Sequence, residues 1–324
     1  MNQHEFTPPA RVTIVAGKGG VGKTTVAAAL AYVAARAGVR TLIVEVEGKS
    51  GLPELFGRKE SLTYEEVVLL AEGEAGAGSA ELRARTLTPD DALVEYLESH
   101  GLRRVSKRLS STGTLDVVAT AIPGIKDILV LGKVKQLETL SASGAEGAPE
   151  FIVVDAPAAG HAVSFLASAY GLLDAASVGP IRTQAAEVTA LLEDPARCQV
   201  MLVTIPEETP VNEAVDTAFH LEDRAGVKLA PIVLNAVWPH LELDTGEGGG
   251  LERLSADDAR RVRDAAEFRT QRQRLQEAQI ERLASMLPLP QLILPFLFTT
   301  ELGGADLAEL AGSLGPQLAK VTDR

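Results

Sequence analysis

The sequence predicts an α/β fold, a mostly parallel twisted sheet flanked by helices and carrying an inserted helical subdomain. Three observations predict it. Short aliphatic runs of strand length alternate with helical stretches, a glycine-rich turn follows the first run, and the strand signal lapses over one long interval before resuming. The 324 residues allow one large domain with an insertion. With 46% hydrophobic residues but only 4% aromatic, the interior must be aliphatic, as in a sheet covered by helices on both faces.

The strand candidates are Val12 to Ala16, Thr41 to Val46, Phe151 to Val154, Val200 to Thr204, Pro231 to Leu234 and Gln291 to Leu294. Helical stretches such as Thr24 to Ala37 and Val211 to Ala225 lie between them, and this alternation builds parallel strands by crossover. Residues 1–57, 150–238 and 288–324 are therefore expected to form the core. Between 58 and 149, helical periodicity replaces the strand signal, most clearly at Ile125, Ile128, Leu129, Val134, Leu137 and Leu140, and this stretch reads as a helical insertion. Residues 239–287 read as a charged extension, an acidic Gly-rich loop from Asp244 to Gly250 followed by a helix from Ala256 to Met286.

A net charge of −13 disfavours a broad nucleic-acid surface, which needs clustered Lys and Arg to neutralise phosphates. Met1 to Ala10 show no basic start followed by an apolar stretch, and no apolar run reaches the ~18 residues of a membrane span. A cytoplasmic location, at most peripheral to a membrane, is expected. Cys198 is the only cysteine, so an intrachain disulfide is excluded, and a buried, inert thiol is expected.

Directly after the first strand candidate stands Gly17-Lys18-Gly19-Gly20-Val21-Gly22-Lys23-Thr24-Thr25, at the mouth of a helix. Glycines allow backbone N–H groups to converge on phosphate oxygens, Lys23 supplies a point charge to the outer phosphates, and the Thr24 hydroxyl suits Mg²⁺. The helix adds its positive amino end. Phe151 to Val154 make a buried strand that delivers Asp155 at its carboxyl end, where it could hold the metal directly or through water, and Gly160 could offer an amide to the last phosphate. Asn235 ends another strand with an amide that both donates and accepts, as the edge of adenine requires. These residues call for a nucleoside triphosphate with Mg²⁺ and place the chain among P-loop nucleotide-binding proteins.

The motifs resemble those of the arsenite-pump and tail-anchored-protein-targeting ATPases, P-loop enzymes with a deviant Walker A motif. The resemblance covers the phosphate loop, Gly51-Leu52 through Phe56-Gly57, Ile122-Pro123-Gly124-Ile125, Asp155 through His161, Pro206 through Glu213, Leu234-Asn235 and Pro295 to Gly303. It implies a nucleotide-gated dimer in which Lys18 reaches the partner's nucleotide, much as an arginine finger does. It further implies that Asn235, Pro295 and Phe296 surround adenine. His161 follows the family pattern, with a packing or switch role.

Departures from the family bear on turnover and cargo. Where the family's first switch carries an Asp that positions the attacking water, this chain has Glu47, which keeps the carboxylate but adds a methylene. Glu45 is expected to face away and to be the weaker substitute. The cysteine pair that bridges zinc in the targeting branch and the cysteines that bind arsenite are both missing, so no zinc is expected. With three methionines in all, the Met-rich groove for membrane segments is missing too. An aliphatic groove along Ile125 to Leu140 could stand in for it, although packing in the core or between subunits is the more ordinary reading of that face. The first-switch variant looks like an actinobacterial branch labelled anion-transporting ATPase, so a homodimer or a heterodimer with a paralogous ATPase is implied. The leading expectation is an ATP-hydrolysing dimeric switch with a hydrophobic, membrane-protein or envelope-related client. The alternatives are the energy subunit of an anion pump and a slow ATP-sensing scaffold.

Overall fold

The computed structural model describes residues 6–46, 51–99, 101, 124–175, 179–241 and 251–322. In chain order its elements are β1 (Val12–Gly17), α1 (Lys23–Arg36), β2 (Thr41–Val46), α2 (Leu52–Leu55), β3 (Val67–Leu70), β4 (Leu82–Leu87), α3 (Pro89–Ser99) and α4 (Ile125–Ser143). They continue as β5 (Phe151–Ala158), α5 (Ala159–Ala175), α6 (Pro180–Glu193), β6 (Cys198–Thr204), α7 (Glu208–Ala225), β7 (Ile232–Val237), α8 (Ala256–Met286), β8 (Gln291–Pro295) and α9 (Gly304–Thr322).

All eight strands join one sheet in the order β3-β4-β2-β5-β1-β6-β7-β8, parallel throughout except where β3 runs antiparallel to β4. Strands β1 and β5 are buried nearly end to end on both faces, as their unbroken apolar runs require. One face is covered by α4, α5, α6 and α7, which bury Ile128, Phe165, Leu191 and Val215 against Ile14, Ile152 and Val200. The other is covered by α1 and α9, which bury Leu30 and Leu314 against Val15, Val153 and Val233. Helix α1 carries a run of fully buried alanines, Ala27 to Ala29 and Ala34 to Ala35, and these small side chains let it lie close to the strands and to α9. Cys198 is fully buried in the first of these cores, and burial pushes its thiol up to about 12, so it is inert at neutral pH.

Two features of the 58–149 stretch differ from the sequence reading. It contributes β3 and β4 to the sheet edge, where β4 pairs in parallel with β2. Arginines hid this strand: Arg83 reaches Glu81 and Glu66, while Arg85, buried, lies over the Tyr64 ring at 4.3 Å. The apolar stripe of α4, from Ile125 to Leu137, is spent on this chain's own core, and only Leu140 is exposed. Of the readings open for it, packing in this chain's own core accounts for the residues up to Leu137.

At the amino ends of the strands, Glu138 of α4, 1% exposed, is clamped by two arginines. Arg11, just before β1, donates to Oε1 at 2.7 Å, and Arg197, just before β6, donates to Oε2 at 2.6 Å. This ties α4 to the centre of the sheet and leaves the carboxyl ends free for the site.

Candidate nucleotide site

The phosphate loop fills the turn from β1 into α1. Helix α1 begins on Gly22, whose φ of 88° is left-handed, and no side chain caps its first amides. An uncapped, positively polarised helix end facing a crevice is an anion site in waiting. Two of the glycines are constrained, Gly17 by a backbone neighbour and Gly22 by its left-handed φ together with a side-chain neighbour. A Cβ on Gly17 would stand 2.3 Å from the Val203 carbonyl oxygen of β6, and one on Gly22 would stand 2.2 Å from Asn235 Nδ2. Gly19, by contrast, has open space around it.

Below the loop, Thr24 donates its hydroxyl to Asp155 Oδ2 at 2.6 Å. The other oxygen, Oδ1, is buried with no hydrogen-bond partner. Burial chiefly pushes the Asp155 carboxyl up to about 6, helped by the Glu45 charge and opposed by the Thr24 hydrogen bond and by Lys23. A buried carboxylate oxygen that lacks a partner, beside a hydroxyl and the mouth of a phosphate loop, is a fit for Mg²⁺. Thr24 and Asp155 are the residues that would hold it.

Glu45 does not face away. It is buried, it pairs in register with Asp155 across β2 and β5, and it acts electrostatically on that carboxylate. Strand alternation returns every second residue to the same face, so it gives no reason to set Glu45 opposite the residue two positions on. Glu47 itself lies outside the described residues, as do Ile122 and Pro123.

Lys23 Nζ donates to the Lys18 carbonyl oxygen at 3.3 Å, and Lys18 forms an ion pair with Glu213 of α7. Gly160 and His161 are exposed at the start of α5, just beyond the strand that carries Asp155.

Beside the loop opens a cavity of 420 Å³ that brings together Gly20, Val21, Gly22, Thr25, Asn235, Pro295 and Phe296, drawn from three distant parts of the sequence. Asn235 Nδ2 donates to the Val21 carbonyl oxygen at 2.9 Å. Next to it Ala236 takes a left-handed φ of 57°, a strained conformation for a residue with a Cβ. Gln276 of α8, 3% exposed, pins this kink by donating to the Ala236 carbonyl at 3.2 Å and accepting from the Trp238 amide at 2.8 Å. Gln276 and Arg272 line the cavity, and so does Glu207, which pairs with Arg272. Gln276 and Arg272 did not stand out in the sequence, because a helix rich in charge reads as a solvated face, whereas Glu207 lies in the Pro206 through Glu213 segment of the resemblance. A larger cavity of 550 Å³ lies between α3, α4 and α6 but contains no residue of the phosphate loop, so the chemistry favours the smaller one.

Residues 10–172 match the family model described as anion-transporting ATPase. The chain is similar to ATPase BagA of Mycobacterium tuberculosis, at 33% identity over 236 residues, which cover 72% of this chain and 67% of that protein. A Halobacterium salinarum protein provisionally designated an arsenical pump-driving ATPase is 26% identical over 269 residues, 79% of this chain and 40% of its own length. ATPase GET3 of the fungus Paracoccidioides lutzii is 28% identical over 159 residues, 48% of this chain and 42% of its own.

Proposed function

Because the chain belongs to the anion-transporting ATPase family and is an ATPase, we propose that it hydrolyses ATP with Mg²⁺ as a two-chain switch, whose closed and open states take up and release a client. The observation that carries the Mg²⁺-dependent hydrolysis is the Thr24–Asp155 contact of 2.6 Å, with the second carboxylate oxygen buried and unpartnered at the foot of an uncapped phosphate loop.

The loop amides from Gly17 to Thr25 hold the phosphates, and Lys23 leaves the Lys18 carbonyl for the outer phosphate oxygens. Thr24 and Asp155 would hold the metal, which would offset the negative charge of the outer phosphates. Glu47 orients the attacking water, and its extra methylene relative to aspartate keeps turnover modest. Gly160, after Asp155, offers its amide to the last phosphate and carries the change of state into α5. Asn235 reads the adenine edge between Pro295 and Phe296. Lys18 crosses to the neighbouring subunit, a second copy or a paralogue, and stabilises charge there during phosphoryl transfer.

The client is a hydrophobic or membrane-protein segment, or an envelope-related partner at the membrane surface. No described helix is long and apolar enough to cross a membrane itself. Because the apolar stripe of α4 is internal, a client surface must come from elsewhere in the chain or from the paired subunits. Purified protein should hydrolyse ATP, with a paralogue if needed, and Lys23→Ala should abolish this; undiminished turnover in that variant would end the proposal.

A second reading, the energy subunit of an anion pump, draws on the designation of the archaeal relative. The lone, buried Cys198 makes arsenite a poor cargo. Turnover unmoved by a panel of oxyanions would dispose of it.

A further inference from the structure

Three side chains around the start of α7 each hold a cation from another part of the chain. Glu207 pairs with Arg272 of α8, Asn212 Oδ1 accepts from Arg282 of α8 at 2.5 Å, and Glu213 pairs with Lys18 of the phosphate loop. The first two tie neighbouring helices together. The third is different in kind, because Lys18 belongs to the segment that must rearrange around a triphosphate, and its side chain remains 44% exposed. Glu213 sits within α7 with its side chain 38% exposed, one carboxylate oxygen on Lys18 and the other buried without a hydrogen bond.

We infer that Glu213 is a positioning residue that holds Lys18 in cis, so that the lysine reaches a neighbouring subunit's nucleotide only when this pair opens, a role that rests on the trans action of Lys18 proposed above. The energetics suit a latch that yields. An ion pair exposed to this degree is weak and screened by salt, whereas a triphosphate presents several charges to the same ammonium. One carboxylate therefore restrains Lys18 in the lone subunit and loses it when two subunits close. Lys23 works in the same direction, since its bond to the Lys18 carbonyl is given up once its ammonium moves to phosphate. Through Asn212 and Glu207, the helix that carries the latch is also tied to α8, which lines the nucleotide cavity.

The test is ATP turnover as a function of protein concentration for the full chain, at low and high salt, with Glu213→Gln, Glu213→Ala, Lys18→Ala and the double variant Lys18→Ala/Glu213→Gln. Freeing Lys18 should lower the concentration of half-maximal turnover about two- to fivefold in both Glu213 variants. The shift should shrink at high salt, and in the Lys18→Ala background, where turnover is lost, the concentration of half-maximal ATP-dependent self-association, read by light scattering, should be the same with and without Glu213→Gln. A purely structural Glu213 would instead lower the melting temperature and leave the half-maximal concentration in place. If Lys18→Ala is inactive while the Glu213 variants follow the wild-type curve, the latch is refuted and the trans lysine stands. If Lys18→Ala turns over like wild type, the trans role fails and the latch falls with it. A shift that persists without Lys18 also refutes the latch.

Discussion

Asp155 and Glu45 are register partners on neighbouring strands, two buried carboxylates side by side below the phosphate loop. Burial first, and the Glu45 charge in addition, push Asp155 up to about 6 from the 3.8 of a free side chain, against the opposing Thr24 hydrogen bond and Lys23. The folded state thus binds this proton more tightly than the unfolded state. The nucleotide-free fold should lose stability as pH rises from about 4 through about 6, by at most about 3 kcal/mol. Asp155→Asn should remove this slope and stabilise the nucleotide-free protein at pH 7.5 by about 1–3 kcal/mol while eliminating hydrolysis. Thermal melts of both proteins across this pH range decide it. A wild type that gains stability relative to the variant as pH rises would contradict the assignment.

Glycine at position 22 is held by both backbone and neighbour. Its left-handed φ costs an alanine roughly 1–2 kcal/mol, and the new Cβ would also displace Asn235, 2.2 Å away. Gly22→Ala should therefore abolish binding of a fluorescent ATP analogue. Gly19→Ala, with open space around it, should leave the melting temperature within a degree or so of wild type. Equal effects of the two would mean that the loop does not have the conformation described.

Asn235 is the base-reading residue by position, between the loop and Phe296. Asn235→Ala should weaken ATP binding about tenfold while leaving the weaker binding of GTP nearly unchanged. Competition titrations with both nucleotides measure this. A uniform loss for the two would assign Asn235 to loop support through Val21 instead of to adenine.

Glu138 supports the fold from the far end of the sheet. Removing its charge leaves Arg11 and Arg197 facing a site that is 1% exposed, and Glu138→Ala should cost about 2–4 kcal/mol, discounted for the partial exposure of both arginines. Denaturant unfolding reads the cost. Turnover per folded molecule should be unchanged, because the clamp sits at the amino ends of β1 and β6 and the phosphate loop at the carboxyl ends.

The legible parts of the sequence were those where one physical requirement fixes residue type and spacing. An aliphatic run of this length reads directly as a strand, and all six such runs are strands, five of them interior to the sheet and β8 at its edge, with Thr41–Val46 matching to the residue. The gathering of Gly22, Asn235 and Phe296 around one cavity was legible only through the family resemblance, since no local rule joins residues so far apart. β4 was not legible, because Arg83 and Arg85 interrupt its apolar signal and find partners only in three dimensions. Arg272 and Gln276 were hidden for a similar reason: on a 31-residue helix rich in charge, two inward polar residues leave no periodic trace. Glu45 was misjudged through its spacing from Glu47 and not through its chemistry.

A crystal structure grown with Mg²⁺ and a non-hydrolysable ATP analogue tests the central claim most directly. The expected result is a triphosphate on the amides of residues 17–24, a metal beside Thr24 and Asp155, and adenine against Asn235 and Phe296. Nucleotide bound elsewhere, with the loop unchanged and bare, would contradict it.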